Sequence, residues 1–287
     1  MSLKTVLAPL SGTEQDRVAL RHALAVAASL EAHVTALLPD GPLSAILGEE
    51  PSPPRRWEDS LVREGRATLA RRREAARALF EEVVRETGAR VAAEPGGAGP
   101  TICFEARRGD DPEVIREAAV VHDLILFHRA VEGEEAGQTL PEIRNALQGS
   151  GRPLLVAPTR LPGTFATRVA IAWNGSLEGG RAVSAALPLL GRAASVQVLT
   201  AATAKTDAGE GERARRYLAW HGVAAEVRAL DAGGGSVGAA LLAAAGEAGA
   251  DLLVMGGYTH SRIRQAVLGG VTHHVLRHAA LPLLLAR

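Results

Sequence analysis

The strongest constraint on the fold is that the chain contains two copies of one unit. One copy begins at Thr5 (TVLAPLSGTEQDRVALRHALAVAASLEAHVTALL) and the other at Arg168 (RVAIAWNGSLEGGRAVSAALPLLGRAASVQVLT). The pattern of each copy predicts an apolar strand, a small polar turn, an Ala/Leu-rich helix and a second apolar strand. The turns lie at 11–13 and 174–176. Further along, HDLILFHR matches ADLLVMGG, and RPLLVAP matches LPLLLAR. A repeat of this kind indicates two similar domains in tandem.

The predicted strands are continuous apolar runs rather than alternating ones. Such runs are typical of parallel sheets whose faces are both covered by helices. In the second half we expect strands near 168–173, 195–200, 223–230, 251–255 and 282–286, and helices over 177–192, 209–221, 236–248 and 269–278. The first half repeats this order and adds a long charged helix over 57–88 with a mostly solvated face. The predicted fold class is α/β, with two doubly wound, Rossmann-like domains at 1–159 and 166–287 and a linker over 159–167.

Composition argues against several classes of partner. The 287 residues include 32 basic and 32 acidic ones, a balance that indicates neither a polyanion-binding surface nor an acidic tail. Aromatic residues make up 3% of the chain, too few for stacking on single-stranded nucleic acid. No apolar run is long enough to span a bilayer. We therefore expect a cytoplasmic protein without nucleic-acid or membrane partners, whose single cysteine, Cys103, is a small buried hydrophobe.

The stretch GGGSVG at 233–238 matches two functional patterns at once. Its glycines satisfy G-x-G-x-x-G, but the following strand ends LLVMGG and lacks the acid that would hold a ribose. The same stretch fits G-x-S-x-G with Ser236 as nucleophile, followed by Asp251 and by His273 or His274 in hydrolase order. Too few strands follow to present an acid and a base. Both readings are minor alternatives to a flexible turn that leads into an alanine-rich helix.

Two histidines one helical turn apart, His274 and His278, have a spacing that could hold a metal ion. No acidic or Cys ligand lies nearby in the sequence, so we favour histidines on the helix surface, with His278 near the negative end of the helix dipole. We predict no metal site and no catalytic residue.

A glycine-framed loop follows the strand at 251–255, in the sequence MGGYTHSRIRQAVLGGVTHHVL. One glycine pair ends the strand and the other opens a helix whose first turn carries no acid, while Arg262 and Arg264 lie between them. The free N–H groups of such a helix start favour a phosphate. Asn174 should face the same crevice, because ligands of open α/β sheets bind at the carboxyl ends of the strands. The alternatives are a plain strand–loop–helix connection and a helix-capping role for Asn174.

The second half resembles a universal stress protein domain, and the whole chain resembles a tandem member of that family. The family's motif is G, two residues, G, nine residues, then G followed by Ser or Thr; Gly256 and Gly269 match its first and third glycines. The closing HVLRHAALPLLLA also matches the family's common continuation. Three positions depart from the pattern: Thr259 replaces the second glycine, Gly270 replaces the Ser or Thr, and Asn174 replaces an Asp. A lost donor costs about 1 kcal/mol, which weakens nucleotide binding without abolishing it.

The resemblance implies a five-stranded parallel sheet in each domain, of the adenine-nucleotide-hydrolase-like type. It also implies ATP or a related adenine nucleotide in the second crevice, dimer-like packing of the two halves, and a role in stress survival rather than a fixed reaction. The nucleotide-binding residues carried over from the family are Trp173, Asn174, Thr200, Met255, Gly256, Tyr258, Thr259, Gly269, Gly270, Val271 and Thr272.

The first half lacks the glycine motif. Glu132, Glu134 and Glu135 occupy the loop where the second half has arginines, and Ser11 stands at the family's Asp position. Carboxylates there would repel phosphate, so we predict a degenerate domain that is a packing partner or a differently used site. A homodimer is also envisaged, since an exposed final strand, PLLLA, could pair with another edge.

Three functions remain at this point. The first is a regulatory module that binds an adenine nucleotide in the C-terminal domain. The second is a nucleotide-free stress protein that acts through protein partners. A slow ATP hydrolase ranks last, because the loop offers no general base and no metal-binding carboxylate.

Overall fold

The computed structural model describes residues 2–41, 55–94, 99–129, 134–158, 163–201, 209–231, 235–257 and 270–287, with the backbone alone at 55–62 and 134–139. The chain divides into two compact units, one formed by Lys4–Ser150 and the other by Gly151–Arg287 together with Met1–Leu3. Among the described residues, no helix combines the length and the apolar character that crossing a bilayer requires.

The N-terminal unit is a parallel sheet with helices between its strands. Its elements are β1 (Thr5–Pro9), α1 (Gln15–Leu30), β2 (His33–Asp40), α2 (Arg55–Thr87), β3 (Arg90–Val91), β4 (Thr101–Arg108), α3 (Asp111–Ala119), β5 (Leu124–His128) and α4 (Glu134–Gly149). The strand order is β3-β4-β2-β1-β5, and each neighbouring pair is parallel. The strand order reverses direction between β1 and β5, which creates a crevice at their carboxyl ends.

The C-terminal unit repeats this arrangement. Its elements are β6 (Leu154–Ala157), β7 (Arg168–Ala172), α5 (Leu177–Leu190), β8 (Ser195–Ala201), α6 (Glu210–Trp220), β9 (Glu226–Leu230), α7 (Val237–Glu247), β10 (Leu252–Gly256), α8 (Gly270–His278) and β11 (Leu283–Ala286). The strand order is β6-β11-β10-β7-β8-β9, parallel throughout except that β6 is antiparallel to β11. The predicted doubly wound α/β fold is confirmed.

Burial explains why these segments take these forms. In β10, Leu252, Leu253 and Val254 are fully buried, as expected for a strand that has helices on both faces. The long helix α2 instead buries a narrow stripe that includes Ala76, Leu79, Phe80 and Val83, at helical spacing. The prediction of a largely solvated helix over 57–88 is therefore confirmed, with observed bounds of 55–87.

The aspartate repeated before one strand of each half has the same structural role in both. Asp123, before β5, accepts hydrogen bonds from the backbone N–H groups of Lys4 (2.8 Å) and Thr5 (3.0 Å) at the start of β1. Asp251, before β10, accepts them from Thr167 (3.1 Å) and Arg168 (2.9 Å) at the start of β7. Each carboxylate joins the amino ends of two neighbouring strands by charge-assisted bonds.

Two expectations need correction. The strand expected in RPLLVAP is observed as β6, which pairs antiparallel with β11, with Leu155 opposite Leu284. Because β6 and β10 flank β11 on its two sides, the final strand is not an exposed edge, and the basis for edge-to-edge dimerisation is wrong. Cys103 is half-buried rather than a buried hydrophobe, and its Sγ lies 3.4 Å from Nε2 of His33. The domain boundaries at 159 and 166 stay a prediction.

Candidate functional site

The predicted site residues gather at the carboxyl edge of the C-terminal sheet. Trp173 and Asn174 follow β7, Thr200 lies near the end of β8, and Met255 and Gly256 end β10. Because these three strands are parallel, their carboxyl ends share one edge, where ligands of such sheets bind. Gly270, Val271 and Thr272 form the first turn of α8. Tyr258, Thr259 and Gly269 lie outside the described residues, as do Arg262, Arg264 and Glu132, and the side chains of Glu134 and Glu135.

The turn after β7 is held by its own side chains. Gly175 has a φ of +72°, a left-handed conformation that glycine adopts without strain. The backbone N–H of Ser176 donates to the amide oxygen of Asn174 at 3.2 Å, and the Ser176 hydroxyl caps α5 by accepting from the N–H of Gly179 at 3.1 Å. The helix cap is therefore Ser176. Asn174 is exposed and shapes the turn with its oxygen, a contact that leaves its NH2 group uninvolved.

Trp173 carries a buried donor without a partner. Its indole Nε1 is buried and has no hydrogen-bond acceptor among the described residues. The ring packs on the start of α5, with Cε3 3.7 Å from the position that a Cβ on Gly179 would take. An unsatisfied buried donor costs about 1–3 kcal/mol, so this N–H would gain from an acceptor supplied by a ligand.

Gly256 is required by packing inside the protein. A Cβ at this residue would lie 2.6 Å from the backbone nitrogen of Gly179 and 2.9 Å from the backbone carbon of Glu178. The first turn of α5 therefore packs directly on the end of β10. Helix packing therefore accounts for a glycine at this position, and the place of Gly256 in the nucleotide site stays a prediction.

Two further residues of the predicted set lie in the core. Thr200 is 7% exposed, and its Cγ2 lies 3.1 Å from where a Cβ on Gly211 of α6 would be. Met255 is 5% exposed. Both therefore contribute mainly to packing at the strand ends.

The first turn of α8 opens onto a cleft of about 450 Å³. Gly270 is exposed, with no atom within 4 Å of a Cβ placed on it, and the turn contains no acid. Ser236 and Val237, at the start of α7, line the opposite side. Four basic residues follow one face of α8 along the cleft: His273, His274, Arg277 and His278.

This basic face was not part of the predicted nucleotide site. The spacing of His274 and His278 indicates one helix face, but the sequence suggested for them only a metal site or, more favoured, a place on the helix surface. The rings of His274 and His278 lie 4.5 Å apart. In the part of the chain that the structure describes, no cluster of three His, Cys, Asp or Glu residues could hold a metal ion.

The opposite side of the strand edge is acidic. A Cβ on Gly175 would lie 2.7 Å from Oε2 of Glu210, so this carboxylate rests on the turn after β7. Glu210 is 18% exposed in its side chain and pairs with Arg213 at 2.6 Å. The equivalent glycine of the first half, Gly12, has Arg72 in the same place, with Cγ 2.4 Å from an added Cβ. The two turns thus face opposite charges.

The hydrolase reading of GGGSVG is wrong. The hydroxyl of Ser236 accepts a hydrogen bond from Ala239 N–H at 3.4 Å and caps α7 at the carboxyl edge of the sheet. Asp251 lies at the amino edge, where its carboxylate binds the start of β7. Gly238 allows α7 to pack on α8, since an added Cβ would be 3.0 Å from the ring of His274. Gly238 of this pattern therefore serves helix packing.

Comparison with known proteins agrees with this geometry. Residues 166–287 match the universal stress protein family. A universal stress protein from Archaeoglobus fulgidus DSM 4304 is 14% identical, with a TM-score of 0.67, and the match covers 100% of this chain and 97% of that one. A putative universal stress protein from Pseudomonas aeruginosa UCBPP-PA14 is 16% identical, with coverages of 99% and 93% and a TM-score of 0.56. A functionally unknown protein from Pseudomonas aeruginosa PAO1 is 15% identical, with coverages of 99% and 92% and a TM-score of 0.59. No curated protein matches the sequence.

Proposed function

Because residues 166–287 match the universal stress protein family and the fold of the whole chain is similar to that of a universal stress protein, we propose that the C-terminal unit binds an adenine nucleotide. ATP or a close relative is the ligand, and it regulates the protein's part in stress survival. The residues that line the α8 cleft include no carboxylate to activate water or to bind Mg²⁺, so a slow ATP hydrolase remains the least favoured function.

The basic cleft at the start of α8 carries this proposal. A helix start presents free N–H groups and a partial positive charge, which together bind phosphate. Here the first turn has no acid to cancel that charge, Arg277 adds a positive charge to the cleft, and the imidazoles of His273, His274 and His278 offer hydrogen-bonding nitrogens. The phosphate chain would lie between the first turns of α7 and α8.

The turn after β7 offers groups for the rest of the nucleotide. The indole N–H of Trp173 has no acceptor in the part of the chain that the structure describes, and the exposed Asn174 has an amide NH2 that its turn does not use. Ring nitrogens and ribose hydroxyls are suitable acceptors for both. Glu210 disfavours phosphate at this turn, which supports placing the phosphates at α8 instead.

Calorimetric titration with ATP tests the proposal through a matched pair of variants. No atom of the described residues lies within 4 Å of a Cβ placed on Gly270, so Gly270→Glu and Gly270→Gln are both compatible with the described packing. The Glu variant places a negative charge at the start of α8 and should weaken binding by about tenfold or more. The Gln variant adds the same bulk without charge and should stay within about threefold of the wild type.

Two results would contradict the proposal. Wild-type protein that binds neither ATP nor ADP, AMP or cAMP at millimolar concentration would remove the function. Equal losses in the Glu and Gln variants would remove the assignment of the phosphates to α8.

Exposed aromatic residues favour the second candidate, a nucleotide-free protein that acts through partners. Trp220 is 89% exposed and Tyr217 is 41% exposed, one helical turn apart on α6. Large apolar side chains on a surface are enriched at protein interfaces. This function predicts no ATP binding, and partner association that Trp220→Ser abolishes while Leu177→Ser, at another exposed apolar residue, does not.

A further inference from the structure

The N-terminal unit has a cavity of its own, of about 160 Å³. It lies where β1, β2 and β5 end, at Pro9, Pro39 and His128, and we call it the N-terminal crevice. This is the switch point of the sheet, where open α/β folds bind their ligands. The crevice differs in chemistry from the α8 cleft, and the difference indicates another kind of ligand.

Two backbone donors of the loop after β1 are already occupied. The N–H groups of Ser11 and Gly12 both donate to the carboxylate of Asp16 at 2.8 Å, and the Ser11 hydroxyl donates to it at 2.9 Å. Asp16 is 1% exposed, so this arrangement is a fixed part of the fold. An anion at these donors would have to displace a buried carboxylate, so this loop disfavours phosphate.

Arg72, a residue of α2, packs against the same loop. Its Nε donates to the carbonyl oxygen of Ser11 at 2.7 Å, and its Nη2 lies 3.4 Å from Oδ2 of Asp111. The stem of Arg72 covers Gly12, whose φ is +80°. The guanidinium therefore already binds the loop and the carboxylate of Asp111.

The crevice retains negative charge. Asp111 and Glu142 both line it, against the single guanidinium of Arg72. Burial raises the pKa of Asp111, and burial together with the charge of Asp111 raises the pKa of Glu142. Burial also lowers the pKa of His128 to about 4, so the imidazole is neutral at physiological pH and adds no positive charge. A cation between the two carboxylates would relieve their repulsion.

The rest of the lining suits a short hydrocarbon chain. Leu10, Ile115 and Phe127 form an apolar wall, and each is less than 10% exposed. A cavity of about 150 Å³ lined by apolar side chains accommodates benzene, a molecule of six heavy atoms. The volume here is thus suited to a ligand of about six heavy atoms.

We propose that the N-terminal crevice binds a small alkylammonium ion. The ammonium group donates to the carboxylates of Asp111 and Glu142, and the alkyl chain packs on Leu10, Ile115 and Phe127. An ammonium has three donors and no acceptor, which matches a site rich in acceptors. This site is independent of nucleotide binding in the C-terminal unit.

Calorimetric titration of the full-length protein with three ligands of nearly equal shape tests the charge requirement. Pentylammonium should bind saturably, while 1-pentanol, which is uncharged, and pentanoate, which is negative, should bind at least tenfold more weakly. Asp111→Asn and Glu142→Gln should each weaken pentylammonium binding by about tenfold. Glu113→Gln is the matched control, since this exposed residue of α3 pairs with Arg116 and does not line the crevice.

The proposal is overturned by any of three outcomes. These are no binding of pentylammonium up to about 10 mM, equal binding of pentanol or pentanoate, and wild-type affinity in both Asp111→Asn and Glu142→Gln. Because Glu142 keeps more of its surface exposed than Asp111 does, its Gln variant tests the site even if the Asp111 variant folds poorly. An ATP titration of the same variants should be unchanged, which separates this site from the proposed nucleotide site.

Discussion

At the scale of residues, the two repeats share a backbone constraint and differ in the charge placed against it. Gly12 and Gly175 occupy equivalent turns and have φ values of +80° and +72°. Arg72 packs on the first turn and Glu210 on the second. A single side chain from a neighbouring helix therefore sets the local charge of each turn.

Gly256→Ala should destabilise the protein by about 1–3 kcal/mol, because the new Cβ would collide with the backbone of Gly179 and Glu178 rather than with a movable side chain. Urea unfolding measures the loss. Gly246→Ala is the control: this glycine of α7 has open space around it, so the substitution should stabilise by about 0.5–1 kcal/mol. An unchanged midpoint for Gly256→Ala would show that α5 is not packed on β10 as described.

His128 should make stability depend on pH. Its pKa is about 4 in the folded protein against an ordinary 6.5, so between these values the unfolded chain binds more protons. The free energy of unfolding therefore falls as the pH drops from about 7 to 4, by about 2–3 kcal/mol from this group. His128→Gln removes the effect, so the stability difference between wild type and variant should narrow over that range.

Neighbouring carboxyls act in the opposite direction. Burial raises the pKa of Asp16, Asp111 and Glu142, so each of these groups adds stability as the pH falls through its raised value. The wild type and the His128→Gln variant share this contribution. The quantity to measure is therefore the difference between their free energies of unfolding. A difference that stays constant with pH would mean that His128 is as accessible to protons in the folded protein as in the unfolded chain.

At the scale of elements, side-chain caps define where the helices of the C-terminal unit begin. Ser176 caps α5 with a hydrogen bond of 3.1 Å, and Ser236 caps α7 with a longer one of 3.4 Å. Ser176→Ala should cost about 1 kcal/mol in the free energy of unfolding, and Ser236→Ala less. Equal costs in chemical denaturation would mean that the difference in cap geometry has no energetic consequence.

The long helix α2 has a second role besides covering the sheet. Its adjacent residues Arg72 and Arg73 reach the loop after β1 and the end of β2, where Arg73 forms an ion pair with the buried Asp40. One helix thus sets the position of two strand ends that border the N-terminal crevice.

At the scale of the whole molecule, the pairing of β6 decides whether the edge of β11 is protected. β6 lies antiparallel beside β11. A fragment of residues 163–287 lacks β6 and would expose the edge of β11, whose residues Leu283–Ala286 are buried in the full chain. Exposed apolar edge strands pair with other chains.

We therefore expect fragment 163–287 to self-associate at tens of micromolar, whereas the full-length chain, which retains β6, should not associate through the edge of β11. Sedimentation velocity distinguishes the two states. A monomeric 163–287 fragment would show that the edge of β11 does not need to be covered.

Features that depend on neighbours along the chain could be predicted from the sequence. The helix expected over 57–88 is observed at 55–87, and the strand expected over 195–200 at 195–201, because apolar periodicity and turn residues act locally. The site was predicted less completely. Its position at the strand ends was expected, but the contact of Gly256 with α5 and the basic face of α8 beside α7 join segments far apart in the chain.

The sequence alone therefore determined the order of strands and helices, the duplication and the acid-free start of α8, since each follows from spacing and residue type. The tertiary structure decided where β6 pairs and which helix covers Gly256. It also decided which charged side chain packs against each of the turn glycines, Gly12 and Gly175. Arg72 lies 61 residues after Ser11, and no local pattern records that its Nε donates to that carbonyl oxygen. Contacts of this kind arise only when the chain is packed, because close packing brings together residues that have no relation along the sequence.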